Sequence, residues 1–191
     1  MPTDSRSRFI ALMTVLAAWM LATRLPDAAQ LLHLQDASMA VFFLGGLLLR
    51  RPLAFAALAL LALGIDVLVF SRTDMLHICL SPAYAFLVPA YALLWFGGRA
   101  LTGRFDGSAR ALVLISLAGV ACAIASFAIS NGSFYALSGL FGELSAAGFG
   151  AQFLRYAPSF VLVGSAWICL GLGVAALGLR VGWLRSTAAA S

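Results

Sequence analysis

The chain has 191 residues, 63% of them hydrophobic and 10% charged, and its twelve Lys and Arg positions are all arginine, for a net charge of +5. A soluble domain is roughly half apolar and a quarter charged, so this composition excludes an ordinary water-soluble globule and points to a bilayer as solvent. The arginines are scattered singly or in one pair, with no basic stripe interleaved with aromatics, which excludes nucleic-acid binding.

The opening stretch, MPTDSRSRFIALMTVLAAWMLATR, places Arg6 and Arg8 before an apolar core, in the outline of a signal peptide. Arg24 and Leu25 interrupt the small residues that a cleavage site needs, so the stretch reads as a retained first span. With it, apolar runs fall at about 9–23, 37–49, 52–70, 83–98, 109–129 and 157–179, against the roughly 17–25 residues that a span requires. Two of the runs are short and borrow flanking residues; the second is expected to start near Leu31. Strand-type alternation is missing, which argues against a β-barrel. The predicted fold is therefore all-α, one domain of six transmembrane helices over 1–191, with the backbone hydrogen bonds satisfied inside each helix.

The arginines also give a direction. Arg6, Arg8, Arg50, Arg51, Arg99, Arg104, Arg110, Arg180 and Arg185 fall at the termini and the even-to-odd turns, whereas Arg24, Arg72 and Arg155 fall on the other side. The positive-inside rule then places both termini in the cytoplasm, as an even number of spans requires. The opposite face collects Asp27, His33, Asp36, Asp74, His77, Cys79, Glu143 and Arg155. Its last connection, SNGSFYALSGLFGELSAAGFGAQFLR, is rich in Gly, Ser and aromatics and reads as a long loop of the lid or binding type. No internal repeat aligns the two halves, which weighs against a doubled secondary transporter.

Chemistry concentrates on that face. Cys79 precedes Ser81 and Pro82, which resemble a helix cap and first-turn pair. A thiol near a helix N-terminus is drawn toward thiolate, a soft metal ligand; the competing reading is a small apolar filler. His77, two residues earlier and on the same side of an extended loop, assists that thiol or provides a second ligand; the competing reading is a solvated loop histidine. Cys122 and Cys169 lie among Ala, Val and Leu and read as packing residues. Asp66, in LLALGIDVLVF, is an acid inside the third span, which is expensive and marks either function or a structural role, an ion pair with Arg72 or Arg155 or a cap on a neighbouring backbone group. Both readings hold together if Asp66 orients a ligand-binding arginine. Tyr84 is a belt tyrosine or a site residue on the same face. Arg155 either clamps a phosphate or carboxylate or snorkels to headgroups, and Tyr156 shares that ambiguity. The three cysteines show no CxxC spacing, and there is no HExxH, Walker loop, GxGxxG or rhomboid-type GxSG serine.

Six short helices with both termini inside and an outward-facing pocket resemble the substrate-binding S-components of ECF-type vitamin transporters. More narrowly, LGID at 63–66 followed by CLSPAY at 79–84 resembles the BtuM family of vitamin B12 transporters. The resemblance implies an S-component-like bundle in a bacterial inner membrane, with cobalamin bound on the periplasmic side. It implies that Cys79 ligates the cobalt and assists removal of cyanide from cyanocobalamin, with Asp66, Tyr84 and Arg155 around the pocket. It also implies partnership with an ECF-type energising module, although members of this family are often encoded without one. The competing readings are an S-component-like binder of another small vitamin and a non-transporting membrane scaffold protein.

Overall fold

The computed structural model describes residues 2–26, 35–72 and 81–184. All the regular structure among them is helical: α1 (Pro2–Arg24), α2 (Ser38–Leu48), α3 (Pro52–Phe70), a 3-10 turn (Pro82–Phe86) running into α4 (Leu87–Ala100), a second 3-10 turn (Thr102–Arg104), α5 (Ala109–Leu137) and α6 (Ala146–Arg180). Five segments are long and apolar enough to cross a membrane: Arg6–Arg24, Pro52–Phe70, Pro82–Arg104, Ala109–Leu137 and Ala146–Arg180. The sixth apolar helix, α2, has 11 residues. At 1.5 Å per residue it reaches about 17 Å, roughly half of a hydrocarbon core. The expected start of that span near Leu31 lies outside the described residues.

The short helix is the centre of the bundle. Its sequence, SMAVFFLGGLL, is apolar on every side after Ser38, and a helix of that kind is buried all round. It packs against α1, α3, α4 and α6. Hydrophobic contrast does not drive helices together in lipid, so close approach depends on small residues. A Cβ on Gly46 would fall 1.9 Å from the Trp95 carbonyl oxygen, and one on Gly98 would fall 2.0 Å from that of Phe43. The α2–α4 crossing therefore exists at this separation only because both positions lack a side chain. The outward faces carry apolar side chains such as Leu53, Leu117 and Leu162, as a lipid-facing surface requires.

Local chemistry fixes the turns at one end. Arg50 adopts a left-handed φ of 61° between α2 and α3, and Pro52 takes a first-turn position of α3, where its missing N–H costs nothing. The Arg51 guanidinium lies 4.7 Å over the Phe9 ring, so the first half of α1 sits beside this turn. Ser108 caps α5 by accepting from the Ala111 N–H, and hydrogen bonding by the Ser108 side chain and N–H holds the Asp106 carboxyl below its ordinary value. Gly107 at φ 79° lies against Leu179 near the end of α6. This end of the bundle thus gathers Arg50, Arg51, Arg104, Arg110 and Arg180.

Two expectations change. The connection before the last span is short: α5 continues to Leu137 and α6 begins at Ala146, leaving 138–145 outside helix. The serines that suggested a loop are absorbed by the helix, Ser130 Oγ donating to the Phe127 carbonyl and Ser133 Oγ to that of Ser130. Cys122 packs as expected, its sulfur lying against Gly97 of α4, but Cys169 is exposed on the outer face of α6.

Candidate functional site

At the opposite end of the bundle, a polar cluster ties four helices together, α1 to α4. Arg24, the last residue of α1, forks onto Asp66 of α3: Nε donates to Oδ1 at 2.7 Å and Nη2 to Oδ2 at 2.5 Å. Its Nη1 reaches Ser38 Oγ at 2.7 Å, Tyr91 OH at 3.1 Å and Asp36 Oδ2 at 3.2 Å. The Ser38 hydroxyl donates to Asp36 Oδ1 at 2.6 Å, and the Ser38 N–H donates to the same oxygen at 2.9 Å. Tyr84 donates its hydroxyl proton to Asp66 Oδ2. Every Arg24 nitrogen thus finds an acceptor, and both Asp66 oxygens are engaged, which is how an ion pair at membrane depth is tolerated.

The neighbouring backbone is held as firmly. Thr23 Oγ1 accepts from the Ala37 N–H at 3.2 Å while donating to the Trp19 carbonyl, and Trp167 Nε1 donates to the Gln35 carbonyl at 3.0 Å. Together these bonds fix the start of α2 against α1 and α6.

Beside the cluster opens a cavity of about 970 Å³. Its walls come from two helical stripes. On α5 the stripe is Ser126, Phe127, Ser130, Asn131, Phe134 and Tyr135; on α6 it is Gly148, Ala151, Gln152, Arg155, Tyr156 and Phe160. Both follow the three-and-four spacing that puts residues on one helix face. Aromatic contacts knit the two stripes, with Phe127 against Phe153 at 5.3 Å and against Phe160 at 5.5 Å. The 138–145 turn contributes Leu140, Phe141, Gly142 and Glu143 to the rim. Phe141 packs on Tyr135 at 4.8 Å, and the Tyr135 hydroxyl both accepts from the Ser145 N–H and donates to the Ser145 carbonyl. Arg24, Asp36 and Tyr91 line the cavity on the cluster side.

The expected site residues therefore separate into tiers. Arg155 lies on the cavity wall, its guanidinium 5.6 Å over the Tyr156 ring. Asp66 is 7% exposed and faces Arg24 rather than the open space, and Tyr84 supports it. The partner of Asp66 is Arg24, not Arg72 or Arg155; the pairing spans 42 residues and nothing local announces it. His77 and Cys79 lie outside the described residues, as do Asp27, His33 and Asp74. Arg24 reads in the sequence only as the end of the first apolar run, and Asn131 and Gln152 only as single amides among apolar neighbours in the last two helices.

Chemically, the cavity offers apolar and aromatic area, two carboxamides, serine hydroxyls, a rim cation at Arg155, and acids at Asp36 and Glu143. That set suits a large, partly apolar ligand bearing several polar groups. Compared with protein-family models and with curated proteins, the chain matches none.

Proposed function

We propose that this chain is a six-span inner-membrane protein that binds cobalamin in the α5–α6 cavity from the periplasmic side and serves its uptake. The observation that carries the reading is the cavity itself. At about 970 Å³ it stands at the upper end of small-molecule sites, which run roughly 300–1,000 Å³. Its lining of aromatics, amides and hydroxyls with an arginine at the edge is complementary to a flat corrin rimmed with amides and carrying a phosphate. The LGID and CLSPAY motifs support the same ligand class.

Orientation follows from charge. The end opposite the cavity holds Arg50, Arg51, Arg104, Arg110 and Arg180, and the positive-inside rule assigns that end and both termini to the cytoplasm. The cavity then faces outward. Arg24, held by Asp66 and Asp36, presents an oriented edge to the ligand, while Arg155 meets the phosphate.

In this reading Cys79 supplies a thiolate to one axial position of cobalt, and His77 accompanies it. Donation from sulfur weakens the cobalt–carbon bond on the opposite face. Cyanide leaves with both bonding electrons, so the exchange requires no external reductant. The chain holds no nucleotide motif, so ATP-driven uptake requires a separate ECF-type module.

The test is direct binding in detergent. Purified protein titrated with cyanocobalamin is expected to give saturable, stoichiometric binding, and protein from cobalamin-grown cells is expected to carry red pigment. Saturable binding of a colourless vitamin in place of cobalamin would overturn the assignment in favour of another S-component-like ligand. A stable protein partner with no small-molecule binding would point instead to a scaffold.

A further inference from the structure

Arg24 serves two acids unequally. A guanidinium carries five N–H donors, and Asp66 takes one from Nε and one from Nη2. Nη1 has two hydrogens for three acceptors: Ser38 Oγ at 2.7 Å, Tyr91 OH at 3.1 Å and Asp36 Oδ2 at 3.2 Å. Asp36 is the farthest of the three. Among the described residues it is also the one Arg24 partner whose bond is exposed, the others being partly buried. The Asp36 side chain is 47% exposed, against 10% for Asp66. A buried two-pronged pair is costly to break, whereas a single contact to an exposed carboxylate holds weakly and is easily exchanged.

Asp36 is nonetheless fixed in place by its other oxygen. Oδ1 accepts from the Ser38 N–H at 2.9 Å and from the Ser38 hydroxyl at 2.6 Å, an anchor local to the start of α2. The carboxylate can therefore release Arg24 without losing its own position. Arg24, Asp36, Ser38 and Tyr91 all line the cavity. An anionic group of a ligand is drawn there by Arg24 and Arg155, and at Arg24 it meets a carboxylate already on the Nη1 edge.

We propose that Asp36 is a built-in competitor of the ligand's phosphate for the Nη1 edge of Arg24. It lowers the affinity of the cavity for a phosphate-bearing ligand and so favours release, which a protein serving uptake needs as much as capture. The inference rests on the cobalamin reading and adds to it a residue that sets how tightly the phosphate is held. Glu143 supplies the natural comparison: it is an exposed acid on the same cavity and makes no bond to Arg24.

The experiment titrates the full-length protein with cobalamin and with cobinamide, a corrinoid without the nucleotide arm and its phosphate. Asp36→Asn keeps an acceptor for Ser38 and removes the charge. It is expected to bind cobalamin about fivefold more tightly than the wild type, and cobinamide within about twofold of it. Glu143→Gln removes a charge from the same cavity without touching Arg24, and is expected to change cobalamin affinity by less than about twofold. If Asp36→Asn fails to elute as a single species, Asp36→Ser takes its place, since serine also accepts from the backbone there. Cobalamin binding by the Asp36 variant no tighter than wild type, an equal gain for cobinamide, or an equal gain in Glu143→Gln overturns the competition while leaving cobalamin binding intact. Absence of any cobalamin binding by the wild type overturns both.

Discussion

Arg24 and Asp66 meet as a two-pronged ion pair, Nε to Oδ1 at 2.7 Å and Nη2 to Oδ2 at 2.5 Å, across 42 residues of chain. The pair joins the last residue of α1 to α3 one turn before its end. It sits behind the cavity wall, where it sets the direction in which Arg24 faces.

Breaking it on one side strands a charge. The two side chains are 11% and 10% exposed. Asp66→Asn is expected to cost about 3–5 kcal/mol, because the buried arginine loses its two-pronged partner and keeps only the half-exposed Asp36 as an anion. The double variant Arg24→Met with Asp66→Leu is expected to be more stable than Asp66→Asn alone. Thermal unfolding in detergent, read as a double-mutant cycle, checks both outcomes.

Tyr84 acts on the same carboxylate with a smaller effect. Tyr84→Phe removes one hydrogen bond to a charged acceptor and leaves the ring in place. The expected loss is about 1.5–3 kcal/mol, below that of Asp66→Asn, in the same unfolding assay.

The α2–α4 crossing gives an independent test of packing. Gly46→Ala and Gly98→Ala each drive a methyl into backbone of the facing helix, and losses of at least about 1–3 kcal/mol are expected. Gly173→Ala in α6 meets nothing within 4 Å. It is expected to be neutral or to gain up to about 1 kcal/mol from helix propensity. Equal behaviour of the three variants would contradict the close crossing.

Much of this architecture was legible beforehand, and the reasons are local. Long apolar runs without strand alternation announced membrane-length helices, and arginine asymmetry announced two different ends. Asp66 stood out because an acid is rare in such a run. Its partner did not, because Arg24 reads locally as a boundary residue and only the fold brings it to α3. The 130–155 segment misled because Ser and Gly favour loops in water. In α5 the serines bond back to helix carbonyls, and the small residues face a cavity. Asn131 and Gln152 do not stand out in the sequence for a related reason: single amides in an apolar helix carry no motif.

Orientation is open to a labelling test. With the native cysteines replaced, Asp106→Cys sits at the arginine-rich end and Glu143→Cys on the cavity rim. A membrane-impermeant maleimide added to spheroplasts is expected to label position 143 and to leave position 106 unlabelled until the membrane is opened. The reverse pattern would place the cavity toward the cytoplasm.

The most direct measurement is the absorption spectrum of purified protein with added cobalamin, for the wild type and for Cys79→Ser. A thiolate on cobalt shifts the corrin bands, so the wild type is expected to show that shift at one equivalent and the serine variant to lack it. Identical spectra from the two proteins, or no change in either, would contradict cobalt ligation by this chain.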